Sequence, residues 1–174
     1  MLPLCMYGPV RVKRKVSERR RWTSPSRPGA PAWFVVNRAG RLARDRASTR
    51  DDIARILDDY ERAARNARAA GFDGVQLHGA NGYLIDQFLR ESANLRVDDY
   101  GGAPENRIRF LVEVAEAVAA TVGPERTAVR FSPNGASQGV EDSDPASVFV
   151  PAAKALERIG VAFIELREQG PEGT

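Results

Sequence analysis

Residues 74–84 read Gly74-Val-Gln-Leu-His-Gly-Ala-Asn-Gly-Tyr-Leu84 and contain the only histidine of the 174-residue chain. A short run of strand-forming residues stops at His78. Asn81 follows three residues later and Tyr83 two after that, on a Gly-rich turn. An apolar strand that ends in an imidazole, with an amide and a phenol on the turn behind it, is how an active-site lip is built at the carboxyl end of a strand in an α/β fold.

The flanking sequence supports a strand at this place. Upstream, Ser48 and Thr49 are N-cap candidates, with Asp51 and Asp52 three residues on as capping-box partners. Ile53, Ile56, Leu57, Tyr60, Ala64 and Ala67 then recur at helical spacing, and Gly71 is a natural stop. Downstream, Tyr83 to Arg90 reads as a short helix and Glu91 to Ala103 as a polar loop. Pro104 takes a first helical position, and Ile108, Leu111, Val114, Ala115, Val118 and Val122 line one face up to Gly123. A second strand is expected over Thr127 to Phe131. Asp144-Pro145 opens a third helix, which Pro151 should kink and Gly160 should end. Val161 to Leu166 is the third strand.

Strands alternating with helices through short connections predict right-handed parallel β/α units. Three strands are expected. His78 lies at the carboxyl end of the first, and Arg130 and Ser132 lie at the end of the next, so one rim should carry an imidazole and a guanidinium.

Composition bounds the rest. Apolar content of 43% and charge of 28% are those of a globular chain, and no run of 18 apolar residues suggests a membrane span. The single cysteine, Cys5, excludes an internal disulfide framework or a cysteine-based metal cluster, and points to a reducing, cytoplasmic setting. The net charge of +3 hides an asymmetry: residues 1–50 hold 13 Lys and Arg against 2 acidic residues, leaving 13 basic against 21 acidic in the rest. Residues 1–47 mix Arg with Pro and Ser and have no sustained period. They are expected to form a disordered or foreign basic leader, with the β/α region over 48–174. Two alternative functional readings are a non-catalytic truncated fragment, and the leader as a nucleic-acid or acidic-partner binding segment, although it contains no reading motif.

Each candidate also has a plain structural explanation. His78 could simply hydrogen-bond its loop. With Asn81 it could instead offer two N–H donors to one oxygen, polarising a carbonyl or holding a phenolate. Tyr83 could be a packing tyrosine or a proton donor. Arg130, which breaks an apolar strand, is either paired with a carboxylate or facing an anionic ligand. Glu105, Asn106 and Arg107 are accounted for by capping and ion pairing.

Taken together, His78-Gly-Ala-Asn-Gly-Tyr-Leu-Ile-Asp-Gln-Phe-Leu89, Asp99-Tyr-Gly-Gly102, Glu105-Asn-Arg107 and Arg130-Phe-Ser-Pro133 resemble the Old Yellow Enzyme family over about residues 50–168. The resemblance implies a (β/α)8 TIM barrel, FMN as cofactor, NAD(P)H as reductant, and a small enone as the molecule reduced. It would make His78 and Asn81 the pair that binds the substrate oxygen, and Tyr83 the donor of a proton to the α-carbon. Arg130 would be the strand arginine beside the flavin pyrimidine. The His/Asn pair, in place of His/His, resembles the family's classical branch and not its thermophilic-like branch. Aligned to that pattern, the three strands are the fourth, fifth and sixth of eight. The chain is therefore expected to be a partial barrel of about three βα units, with weak or no FMN binding by itself.

Overall fold

The computed structural model describes residues 33–36, 48–135 and 137–168. Its sheet has four parallel strands, β1 (Trp33–Val36), β2 (Gly74–Gly79), β3 (Thr127–Phe131) and β4 (Phe163–Leu166), in the order β1-β2-β3-β4. The helices are α1 (Arg50–Ala69), α2 (Leu84–Leu89), α3 (Pro104–Arg107), α4 (Arg109–Val122) and α5 (Pro145–Ile159). Spatial order follows chain order. With right-handed crossovers, that places every connecting helix on the same face of the sheet, which is the arc of a (β/α) barrel.

One strand more is present than the sequence reading expected. Trp33–Val36 falls inside the segment read as a leader, yet it pairs in parallel with β2, Trp33 opposite Gly74 and Val36 opposite Leu77. Trp-Phe-Val-Val is a run of strong strand formers. It is too short to establish a period and is embedded in Arg- and Pro-rich sequence. The other expectations for residues 1–47, including nucleic-acid binding, fall almost wholly outside the described residues.

The helices begin where their caps predict. Asp52 N–H donates to Thr49 Oγ1 at 3.1 Å, and Thr49 N–H donates to Asp52 Oδ2 at 2.9 Å, so a reciprocal capping box opens α1. Asp144 caps α5 by accepting from the N–H groups of Ala146 and Ser147. Gly160 closes that helix in the left-handed conformation at φ +84°. Pro151 does not end α5, which runs on to Ile159. The residue still removes the amide that would have bonded the Ser147 carbonyl.

The two faces of the sheet differ. Val75, Leu77, Val129 and Phe131 are buried and pack with Ile53, Phe110, Leu111, Val114, Val118 and Leu156 of the helices in one continuous core. Side chains alternate along a strand, so Gln76, His78, Arg130 and Glu165 occupy the opposite face. All four are buried. The structure therefore sets an apolar layer beneath the helices and a polar layer on the face that would line a barrel. Among the described residues, no helix is long and apolar enough to cross a membrane.

Candidate active site

His78 stands directly opposite Arg130 in the β2–β3 register, and Arg130 stands opposite Glu165 in the β3–β4 register. Three neighbouring strands thus present an imidazole, a guanidinium and a carboxylate in one row. Gln76, two residues before His78, donates from Nε2 to Glu165 Oε2 at 2.7 Å. Arg130 Nε lies 3.3 Å from Glu165 Oε1. The carboxylate pairing that the sequence left open for Arg130 is thus present, and its partner is Glu165. The pair sits beside the imidazole and does not turn away from it.

The turn after β2 folds back over the strand end. Asn81 and Gly82 both have positive φ, +60° and +73°. Asn and Gly are the residues that tolerate this conformation at the two centres of a tight turn. Tyr83 N–H closes the turn on Ala80 O at 3.3 Å. Gly82 is held at both ends, its N–H donating to Asp86 Oδ2 at 2.9 Å and its carbonyl accepting from Gln87 Nε2 at 2.6 Å. Just before the turn, Gly79 allows the strand end to approach its neighbours. A Cβ there would meet Arg130 O at 3.1 Å and Ile85 Cγ2 at 3.2 Å.

This backbone brings together the three residues singled out in the opening stretch. Asn81 Nδ2 lies 3.4 Å from His78 Nε2. The Tyr83 ring lies 5.2 Å from the imidazole, centroid to centroid, at an interplanar angle of 56°. His78 is 4% exposed. Burial, followed by the Arg130 cation, lowers its pKa from the usual 6.5 to about 4. The imidazole is therefore neutral at physiological pH and carries a single N–H. With that proton on Nε2, imidazole and carboxamide direct two donors into one small region, beside the Tyr83 ring.

Several residues support the site; the sequence reading places Ser132 and Arg107 but gives no role to Arg90 or Arg167. Asn81 N–H donates to Ser132 Oγ at 2.9 Å, which ties the turn to the end of β3. Arg167, just after β4, donates from Nη1 to Asn81 Oδ1 at 2.7 Å. Arg90 anchors the loop after β3, bonding the carbonyls of Ser132, Pro133 and Gly135 while pairing with Asp86 at 3.0 Å and Asp142 at 3.3 Å. Arg107 joins the same cluster through Asp142 at 2.8 Å and caps Leu89 O at 2.9 Å. It is the structural ion pair expected of that helix start. The available signal for Gln76 was its period-2 spacing from His78 on β2; Glu165 comes opposite Arg130 only through the β3–β4 register.

In its donor set the site fits an electron-rich planar ligand. It offers a buried guanidinium on the strand face, a two-donor oxygen position and a phenol, all on one rim. Known proteins are similar to this chain over much of its length. The sequence profile of the NADH:flavin oxidoreductase / NADH oxidase family matches residues 5–171. The chain is 55% identical over 98 residues to 12-oxophytodienoate reductase 1 of Oryza sativa subsp. japonica, covering 56% of this chain and 26% of that protein. It is 48% identical over 120 residues to a probable flavin mononucleotide-dependent alkene reductase of Leishmania infantum, covering 69% and 33%. The crystal structure of an old yellow enzyme homologue from Zymomonas mobilis superposes with a TM-score of 0.70 at 54% identity, covering 78% of this chain and 42% of that one. The chain thus spans between a quarter and a third of the length of these two curated relatives.

Proposed function

Because the chain belongs to the NADH:flavin oxidoreductase / NADH oxidase family, we propose that its rim is the substrate side of an FMN-dependent, NAD(P)H-using ene-reductase. The reaction is reduction of the activated C=C bond of an α,β-unsaturated carbonyl compound. The observation that carries this reading is the convergence of His78 Nε2 and Asn81 Nδ2, 3.4 Å apart, beside the Tyr83 ring.

FMN, when bound, supplies the hydride chemistry that connects the nicotinamide to the substrate, and Arg130 is the residue of this chain that would face it. The remaining work falls to the rim. His78 and Asn81 hold the carbonyl oxygen. Their N–H groups gain strength as negative charge develops on that oxygen, so they stabilise the transition state more than the ground state. A neutral imidazole suits this role, because it donates without having to lose a proton. Tyr83 then delivers a proton to the α-carbon, on the rim that the two donors define.

Two measurements on the full chain test the reading. Titration with 4-nitrophenol below its solution pKa should show the visible band of the phenolate growing with protein, and His78→Ala should abolish the change. With NADH and 2-cyclohexen-1-one present, cyclohexanone should form only with FMN in large excess, as expected of a chain that binds it weakly, and Tyr83→Phe should slow its formation. A nitrophenol spectrum indifferent to the protein, together with no FMN-dependent product, rejects the proposal.

A further inference from the structure

The amide of Asn81 can face the imidazole in either of two ways, with opposite chemistry. With NH2 toward His78 and the imidazole proton on Nε2, the site is a double donor and takes an oxygen that bears negative charge. With the carbonyl toward His78 it is a donor–acceptor pair and would favour a ligand N–H or O–H. Backbone geometry does not choose between them, because a carboxamide is nearly symmetric in shape.

We infer that Arg167 is the positioning residue that makes this choice, holding the Asn81 carboxamide with its NH2 group toward His78 and so selecting an acceptor oxygen as ligand. This deepens the proposed function and rests on it for the identity of the ligand. A guanidinium has donors only. The atom 2.7 Å from Arg167 Nη1 is therefore Asn81 Oδ1, and Nδ2 must point the other way, toward His78. Arg167 is itself placed by the sheet, since its backbone N–H donates to Phe131 O at 2.8 Å immediately after β4. The other end of Asn81 is anchored to β3 through Ser132 Oγ at 2.9 Å. One residue is thus held from two neighbouring strand ends, its main chain from β3 and its carboxamide from Arg167 after β4. The cation behind the carbonyl also polarises the amide and strengthens its N–H donors.

The test uses the full chain, with nuclear Overhauser contacts from the Asn81 side-chain amide protons and affinity for 4-nitrophenolate as separate readouts. In the unsubstituted protein the amide protons should contact the His78 ring. Arg167→Met should lose that contact and weaken nitrophenolate binding by roughly three- to tenfold, the worth of about one hydrogen bond. Arg167→Lys keeps a cationic donor and should restore both to within about twofold of the unsubstituted protein, by the same measure. Amide protons directed at Arg167 in the unsubstituted protein, or a Met variant that keeps both the contact and the affinity, would overturn the assignment. If the unsubstituted protein binds no nitrophenolate while the amide contact still depends on Arg167, the positioning role stands and the proposed function fails.

Discussion

His78 and Arg130 face each other across the β2–β3 ladder, one registered pair at the carboxyl edge of the sheet. The imidazole is buried and has a cation as its cross-strand neighbour. Both effects oppose protonation, burial more than Arg130, and the pKa falls from 6.5 to about 4. The same pairing that keeps the imidazole a neutral donor therefore makes it a liability in acid.

The sign of that liability follows from linkage. The unfolded chain takes up a proton on His78 near pH 6.5, and the native chain only near pH 4. Between those values the unfolded state holds more protons, so stability falls as pH drops through the window, by about 3 kcal/mol in all. Urea denaturation at several pH values between 7.5 and 4 should show this slope, and His78→Gln should flatten it. Asp86, whose carboxyl is pushed up chiefly by burial, contributes with the opposite sign but equally in both proteins, and so drops out of the difference. Arg130→Met should raise the pKa of His78 only part of the way, because burial is the larger cause. Equal slopes in the His78→Gln and unsubstituted proteins would contradict this account.

Arg90 connects the two lips of the site. Its guanidinium is 2% exposed and bridges Asp86, which accepts the Gly82 N–H of the first lip, to the Ser132, Pro133 and Gly135 carbonyls of the second. Arg90→Met would leave Asp86 a buried carboxylate without its cation, while Asp142 keeps Arg107, and should cost about 3–5 kcal/mol of stability. Denaturant unfolding gives the total. Amide exchange at residues 81–83 and 134–135 gives its location, and both turns should lose protection together. A loss confined to the second lip would mean that the network does not couple them.

Most of the local structure was readable because it depends on neighbours in sequence. The Thr49–Asp52 box, the apolar face of α4, the span of β3 and the Asp144 and Gly160 ends of α5 all follow from spacings of two to four residues. The His78–Asn81–Tyr83 cluster was readable for the same reason, since a single turn brings it together. Its supports were not. Gln76 meets Glu165 across 89 positions, Asn81 meets Arg167 across 86 and Ser132 across 51. Nothing local marks Glu165 among the 21 acidic residues of 51–174 as the one that reaches Arg130. β1 was missed for a different reason: four residues cannot establish a period, and its flanking composition suggested a leader.

The capping box offers a test that does not involve the site. Thr49 Oγ1 and Asp52 Oδ2 each satisfy a backbone N–H that the helix cannot. Thr49→Ala removes one acceptor and should cost about 1 kcal/mol of stability by chemical denaturation. Nitrophenolate affinity should be unchanged, because α1 meets the sheet on its apolar face, away from the rim. A change in affinity without a change in stability would mean that α1 reaches the site by a route other than packing.

Asn81→Asp separates shape from donor chemistry. Aspartate is close to asparagine in volume and also tolerates positive φ, so the +60° backbone at this position should survive. Its Oδ1 can still accept from Arg167, now as an ion pair. The atom facing His78 Nε2 changes from an NH2 donor to a carboxylate oxygen. That oxygen would accept the imidazole N–H and repel an incoming phenolate or polarised carbonyl. Nitrophenolate affinity should fall by more than about tenfold, a loss above roughly 1.4 kcal/mol, while the fold and the Ser132 contact persist. The carboxylate should also favour protonation of His78 and raise its pKa above 4, which would narrow the acid-sensitive window. Titration of the His78 ring by NMR, beside the ligand titration, reads both effects on one sample. Retained nitrophenolate affinity would show that the amide of Asn81 is not a donor to the ligand.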